Sequence, residues 1–176
     1  VEHMKLEISF DWSKRRANGK ATLDISPYFY PVSNVTLDAK GFFLHKVGMI
    51  LDGQIVERPF QYDSAQVTIE LDREYRRDEQ YQVYIEYTAR PDEQATGGSD
   101  AIASDKGLYF INPDSTQGSK PTQIWTQGET EANSRWFPTV DSPNEKITQE
   151  LFITVDDKYK TLSNGTLIAS ELNGDN

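Results

Sequence analysis

Apolar and polar residues alternate along most of this chain with a period of two. Residues 5–12 place apolar side chains at every second position between charged and small polar ones, as in a strand with one buried face. The alternation resumes at residues 21–25, and Asn18 and Gly19 between the two segments form a common hairpin turn pair. The pattern therefore predicts an antiparallel hairpin over residues 5–26.

Segments with the same alternation recur about every 8–12 residues, a spacing typical of sandwiches and barrels. No segment has the period of an amphipathic helix, and further turns are predicted at Asp52–Gly53 and Asn164–Gly165. The sequence predicts an all-β, largely antiparallel β-sandwich of meander hairpins, with long loops and little or no helix. The later predicted strands lie at 35–39, 42–51, 54–58, 67–71, 81–87, 107–111, 122–126 and 147–155, with a last hairpin at 162–168.

Three polar stretches interrupt this pattern. Residues 90–106 and 112–121 are predicted surface loops, and the first is interpreted as an ordinary long connection, with a mobile excursion as the alternative. The basic triplet 14–16 is interpreted as a solvated turn, with an anion-binding patch as the alternative. None of the three carries a specific chemical prediction.

The segment 125–146 differs from everything around it, because it combines two Trp, two Pro and clustered charges without any strand or helix period. Such a segment must be held by specific side-chain bonds. The segment is expected to be anchored by the apolar packing of Trp136, Phe137 and Pro138. Asp141 is expected to accept hydrogen bonds from backbone N–H groups, and Lys146 is expected to pair with its negative charge.

Gln127 and Glu129 lie where a predicted strand ends. In an extended run these two side chains point to the same side, so an amide and a carboxylate together could bind an ammonium group. The alternative is structural: Glu129 pairs with Arg135, and Gln127 satisfies backbone groups of the loop. The residues alone favour this structural alternative.

Composition and the absence of known motifs disfavour several classes of function. A net charge of −10 over 176 residues disfavours nucleic acid and anionic membranes as partners, and no apolar run is long enough for a membrane span. The chain has no cysteine, and its two histidines, His3 and His45, lack the spacing of a zinc motif. No G-x-S-x-G motif is present either. We therefore predict no catalytic residue, no metal site and no cofactor in this chain, and the sequence assigns no compartment.

The residues of the segment 125–146 carry a family resemblance. Gln127-Gly128-Glu129, Arg135-Trp136-Phe137-Pro138, Asp141, Pro143 and Lys146 resemble the signature Q-x-E … R-x-F-P-x-x-D-x-P-x-x-K of the zinc aminopeptidase family typified by aminopeptidase N and leukotriene hydrolase. The signature lies in the family's N-terminal, saddle-like β-sandwich domain. The resemblance implies that residues 1–176 are a single domain at the start of a longer peptidase, lacking its last strands.

The resemblance also implies roles for individual residues. Glu129 corresponds to the glutamate that receives the substrate's free α-ammonium, and Gln127 to the glutamine that lines the first side-chain pocket. The expected partners are peptide N-termini and the catalytic domain of the same chain, where zinc is expected. Because the catalytic motifs H-E-x-x-H and G-x-M-E-N are absent, this piece alone is expected to be inactive.

The sequence departs from many relatives at Asn133-Ser134, where Ala-Arg is common, and at Thr139 and Ser142, where Cys and an acidic residue are common. These departures affect the loop scaffold. Glu129 stands where the leukotriene hydrolase branch tends to have Gln, which favours aminopeptidase activity over lipid-epoxide hydrolysis.

Two other functions stay open. The chain could belong to a non-catalytic scaffold relative, which the downstream sequence would reveal by lacking H-E-x-x-H. It could also be a free-standing β-sandwich binding module, for instance for carbohydrate through exposed Trp and Tyr, which would fold stably alone and bind glycans.

Overall fold

A computed structural model of the protein describes residues 1–93 and 105–174. Within these ranges, the regular structure is β-strand apart from two short 3-10 turns at Pro91–Glu93 and Asn133–Arg135. The all-β prediction is confirmed. The strands are β1 (His3–Asp11), β2 (Arg16–Ile25), β3 (Val32–Asp38), β4 (Phe43–Leu51), β5 (Gln54–Glu57), β6 (Phe60–Tyr62), β7 (Gln66–Tyr75), β8 (Tyr81–Ala89), β9 (Leu108–Ile111), β10 (Gln123–Thr126) and β11 (Thr148–Thr154).

Six strands form the large sheet, in the order β11-β1-β2-β8-β4-β5. All its neighbours are antiparallel except β1 and β11, which pair in parallel from His3 opposite Thr148 to Ser9 opposite Thr154. A small sheet has the order β3-β7-β6, and β9 and β10 form a separate hairpin.

One hydrophobic cluster joins these layers, which is the arrangement of a sandwich. Alternate residues of the strands face it, so the period of two seen in the sequence is the period of burial. Its largest fully buried side chains are Tyr87, Met4, Leu6, Leu23, Leu37, Met49, Ile69, Ile85 and Leu108.

The predicted turn of the first hairpin is wrong, although the hairpin exists. Asn18 and Gly19 lie inside β2, opposite Ser9 and Ile8 of β1. The chain turns earlier because the Asp11 carboxylate accepts hydrogen bonds from the Ser13 hydroxyl (2.7 Å) and the Lys14 N–H (3.0 Å). These hydrogen bonds, of which the one from Ser13 has the largest effect, lower the pKa of Asp11 to about 2.

Gly19 has a packing role instead of a turn role. The Tyr87 ring occupies the space in which a Cβ atom at position 19 would lie. The turn predicted at Asp52–Gly53 is confirmed, and both residues have positive φ, 49° and 76°.

The hairpin predicted across Asn164–Gly165 does not form, since no strand follows Thr154 in the described part of the chain. Leu162, Leu167 and Ile168 are each more than three-quarters exposed. An isolated hairpin without an apolar surface to pack on is marginal in water, so alternation alone does not create one.

The interrupting stretches are loops where the structure describes them. Residues 113–121 form no strand, while residues 94–104 of the first predicted loop, including the question of its mobility, lie outside the described residues. The basic triplet is ion-paired within the domain: Arg15 contacts Asp92 at 3.3 Å and Arg16 contacts Glu93 at 2.6 Å. Its charges are thus largely matched by the chain itself.

Candidate functional site

The β9–β10 hairpin positions Gln127. Its strand pairing continues one step past β10, because the Gln127 N–H donates to the Gly107 carbonyl oxygen at 2.9 Å. Gly107 has a φ of +70°, and a Cβ atom there would overlap the Ala132 carbonyl oxygen. A residue with a side chain could not hold this close approach of two backbone segments.

The chain leaves the extended conformation immediately afterwards. The Ala132 N–H donates to the Gly128 carbonyl oxygen at 2.9 Å, which places Glu129 in an exposed turn. The peptide bond between Glu129 and Thr130 is cis. The strand pairing extends to Gln127 and Glu129 lies in the turn, so residues 127–129 do not form the one extended run that was expected.

The side chains of Gln127 and Glu129 are unengaged. Within residues 1–93 and 105–174, neither makes a hydrogen bond or an ion pair to the rest of the protein. The alternative pairing of Glu129 with Arg135 is not formed, since Arg135 instead reaches Asp105 at 3.6 Å. Glu129 is exposed and Gln127 is half-buried, so this end of the hairpin carries a carboxylate and an amide that are both unengaged within the described residues.

The residues that follow are held firmly to the large sheet. Phe137 is 6% exposed and packs in the core, with the Trp136 ring edge-on to it at 4.5 Å. The buried Tyr87 hydroxyl of β8 donates to the Trp136 carbonyl oxygen at 2.8 Å. Burial raises the pKa of Tyr87 well above its ordinary value, so this hydroxyl stays a donor across the neutral range. The apolar anchoring role predicted for Trp136 and Phe137 is confirmed.

Asp141 makes the backbone bond expected of it. Its carboxylate accepts from the Ser134 N–H at 2.9 Å, and its own N–H donates to the Asp38 carboxylate at 2.9 Å. Asp38 and Thr139 also exchange two backbone hydrogen bonds, which ties the segment to β3 of the small sheet. The pairing expected between Lys146 and Asp141 is absent from the ion pairs of the described residues.

Lys40 is the residue that sequence reasoning missed. Its backbone N–H donates to the Ser134 carbonyl oxygen at 2.8 Å, and its ammonium donates to the Glu131 carbonyl oxygen at 2.9 Å. The side chain thus reaches from the end of β3 into the turn that carries Glu129. In the sequence, Lys40 directly follows the predicted strand 35–39 and belongs to no chemical motif.

The described residues do not fit a metal centre. Among residues 1–93 and 105–174, no group of three or more His, Cys, Asp or Glu side chains could hold a metal ion. His3 lies on β1 against Thr148, and His45 lies on β4 against Thr88. Two histidines so placed cannot share one ion.

The family model of the peptidase M1 N-terminal domain matches residues 1–176. The chain belongs to this family. The resemblance inferred from the sequence is thereby confirmed, and the chain corresponds to the N-terminal domain of M1 zinc metallopeptidases.

Solved structures of M1 peptidases share the fold. A mutant M1 zinc metallopeptidase from Deinococcus radiodurans bound to a Tyr-Ser-Ala substrate matches with a TM-score of 0.78 and 19% identity, over 99% of this chain and 37% of that one. The M1 zinc metallopeptidase structure from the same organism matches with a TM-score of 0.69 and 18% identity, over 87% and 31%. Native yeast LTA4 hydrolase matches with a TM-score of 0.60 and 18% identity, over 87% and 22%.

The chain thus spans between about a fifth and little more than a third of the length of the M1 peptidases it matches. In the described ranges, no helix is long and apolar enough to span a membrane.

Proposed function

We propose that this chain is the N-terminal domain of a zinc aminopeptidase, a single domain of a longer protein, and that Glu129 anchors the substrate's free α-ammonium group. The observation that carries the proposal is the contrast at the end of the β9–β10 hairpin. Glu129 is exposed and unengaged within the described ranges, while the residues on both sides of its turn are hydrogen-bonded to the domain.

The chemistry of a peptide N-terminus suits this arrangement. Its α-amino group has a pKa of about 7.7–8.0 and is mostly protonated at neutral pH. A hydrogen bond to a charged group contributes about 1.5–3 kcal/mol. A fixed carboxylate that holds this ammonium measures the cleavage point from the chain end, which distinguishes an exopeptidase from an endopeptidase.

Gln127 has the complementary role in the proposal. Its backbone is fixed by Gly107, and its free amide carries both donors and acceptors. We place it at the wall of the pocket that receives the first side chain of the substrate.

The hydrolytic groups lie elsewhere in this proposal. We propose that the metal and the groups that activate water belong to a further domain of the same polypeptide. The described residues contain no set of side chains that fits zinc. The role of the present domain is to position the substrate.

The test is Glu129→Gln in the full-length protein, with Glu131→Gln as the matched control. Glu131 is exposed in the same turn and contributes its backbone carbonyl, which the substitution leaves in place. We expect Glu129→Gln to lower kcat/KM for peptides with a free N-terminus by about 10–100-fold, corresponding to the loss of one charged hydrogen bond. Glu131→Gln should remain within about twofold of the wild type, and equal kinetics for both variants would remove Glu129 from the proposal.

A full-length protein without H-E-x-x-H would instead belong to the non-catalytic relatives. In that case binding of a free-N-terminus peptide, with its N-acetylated counterpart as the control, replaces the kinetic measurement. Preference for the free peptide that is lost in Glu129→Gln would still support the anchor.

A further inference from the structure

The outer face of the β9–β10 hairpin carries an exposed aromatic pair. Trp125 is 43% exposed, and its ring stacks on Tyr109 with the centroids 4.5 Å apart and the planes 14° from parallel. The two residues are directly opposite each other in the antiparallel register. Their neighbours Leu108, Phe110 and Ile124 face the core, which fixes the Trp125–Tyr109 pair on the solvent side.

Trp125 lies on the same face as Gln127. Strand alternation holds over residues 125–127, because the Gln127 N–H is still in register with Gly107. The indole and the amide are therefore successive side chains on one face of one extended segment. Glu129 follows in the turn two residues later.

The indole is held in place and still has free apolar surface. Stacking on Tyr109 on a neighbouring strand restricts its rotamers, so a molecule that packs on its open face need not order it first. Other exposed aromatic residues, such as those of the loop 28–30 and Phe152 on β11, lie on other elements than the β9–β10 hairpin. Among the exposed aromatic residues of the described ranges, only Trp125 lies on β10, the strand that directly precedes Gln127.

We propose that Trp125, braced by Tyr109, is a specificity-determining residue that packs against a bulky apolar side chain near the N-terminus of the bound peptide. This inference rests on the proposed function and specifies its substrate class. Peptides that begin with large apolar residues are favoured over those with small ones, because apolar surface buried against the indole adds to the ammonium anchor.

Steady-state kinetics of the full-length protein test the inference. Three peptides, identical except for Phe, Leu or Ala at the N-terminus, are compared for the wild type, Trp125→Ala and the conservative Trp125→Phe. In Trp125→Ala we expect kcat/KM to fall about tenfold for the Phe and Leu peptides and to stay within about twofold for the Ala peptide. Trp125→Phe should restore most of the discrimination.

The matched control is Phe152→Ala, which removes an aromatic ring of similar exposure from the edge strand of the large sheet. It should leave the ratio of Phe to Ala peptide unchanged. An equal loss for all three peptides in Trp125→Ala, or no loss for any, would overturn the inference and leave the proposed function standing. A wild-type protein that cleaves none of the three overturns the proposed function and this inference with it.

Discussion

Two neighbouring parts of one loop are built in opposite ways. Residues 127–131, here called the presenting segment, carry the half-buried Gln127 amide and the exposed carboxylates of Glu129 and Glu131, and are held through backbone groups. Residues 133–141, here called the bracing segment, bury Phe137 and are hydrogen-bonded to Tyr87, Asp38 and Lys40.

The difference shows how a domain without regular structure at its site can still fix a side chain in space. Backbone groups of the presenting segment are hydrogen-bonded to Gly107, Ala132 and Lys40. The side chains of Gln127 and Glu129 take part in none of these bonds. Positioning and presentation are thus assigned to different residues, and substitutions can separate them.

The bracing segment should be most sensitive at its apolar anchor. Phe137→Ala leaves a cavity in the core and should lower the free energy of unfolding by about 3–5 kcal/mol. The control Phe152→Ala, at a half-exposed ring, should stay within about 1 kcal/mol of the wild type. Guanidinium unfolding followed by tryptophan fluorescence measures both; equal losses would mean that Phe137 is not an anchor.

The next largest loss of stability is expected on removal of the Tyr87 hydroxyl, which should also make the free energy of unfolding decrease at alkaline pH. Tyr87→Phe leaves the Trp136 carbonyl oxygen without its donor, at a cost of about 1–3 kcal/mol at neutral pH. Because burial raises the pKa of Tyr87, its contribution is complete below the unfolded value of about 10 and is lost as pH rises above it.

Unfolding curves between pH 7 and about 12 test this second expectation. The wild-type free energy of unfolding should decline above pH 10, and Tyr87→Phe should decline less steeply. Burial also raises the pKa of Tyr81 to about 12, so a smaller decline persists in the variant. Parallel curves for the two proteins would contradict the assignment to Tyr87.

An effect of similar size, which a second substitution should largely rescue, is expected where the two segments touch. A Cβ atom on Gly128 would overlap the side-chain amide of Asn133, so Gly128→Ala should cost about 1–3 kcal/mol. Adding Asn133→Ala should recover most of that loss, since the obstacle is a side chain. Gly107→Ala is the contrasting case, because its obstacle is the Ala132 backbone and its φ is +70°. A double-mutant cycle of unfolding free energies without coupling at positions 128 and 133 would show that they do not meet.

The smallest effect should be at Ser134, whose buried hydroxyl has no hydrogen-bond partner in the described part of the protein. Its backbone N–H donates to the Asp141 carboxylate, and its carbonyl oxygen accepts from the Lys40 N–H. Ser134→Ala preserves both of these bonds. We expect a change between zero and a gain of about 1 kcal/mol, because an unsatisfied buried group is removed. A clear loss of stability in the same unfolding assay would mean that the hydroxyl has a partner.

The parts of the fold that repeat a simple rule were predictable from sequence. Alternation located the strands because burial itself alternates, and the left-handed turn at Asp52–Gly53 follows from its residues. The turn predicted at Asn18–Gly19 is wrong because the same dipeptide is also compatible with a strand, where the absent Cβ of Gly19 leaves room for the Tyr87 ring. The sequence identified the residues of the presenting segment but not their conformation. The turn at Glu129 depends on bonds to residues that are far away in sequence, such as Lys40.

The parallel pairing of β1 with β11 also has a consequence for synthesis of the chain. His3 meets Thr148 across 145 residues, so at about 5–20 residues per second β1 waits roughly 7–30 s for its outer partner to leave the ribosome. Until β11 is available, the edge of β1 that faces away from β2 has no partner strand in the large sheet, and such an unpaired edge can pair with other chains. Lys5 and Glu7 place exposed charges along this strand, and charged side chains on an edge strand disfavour pairing with other chains.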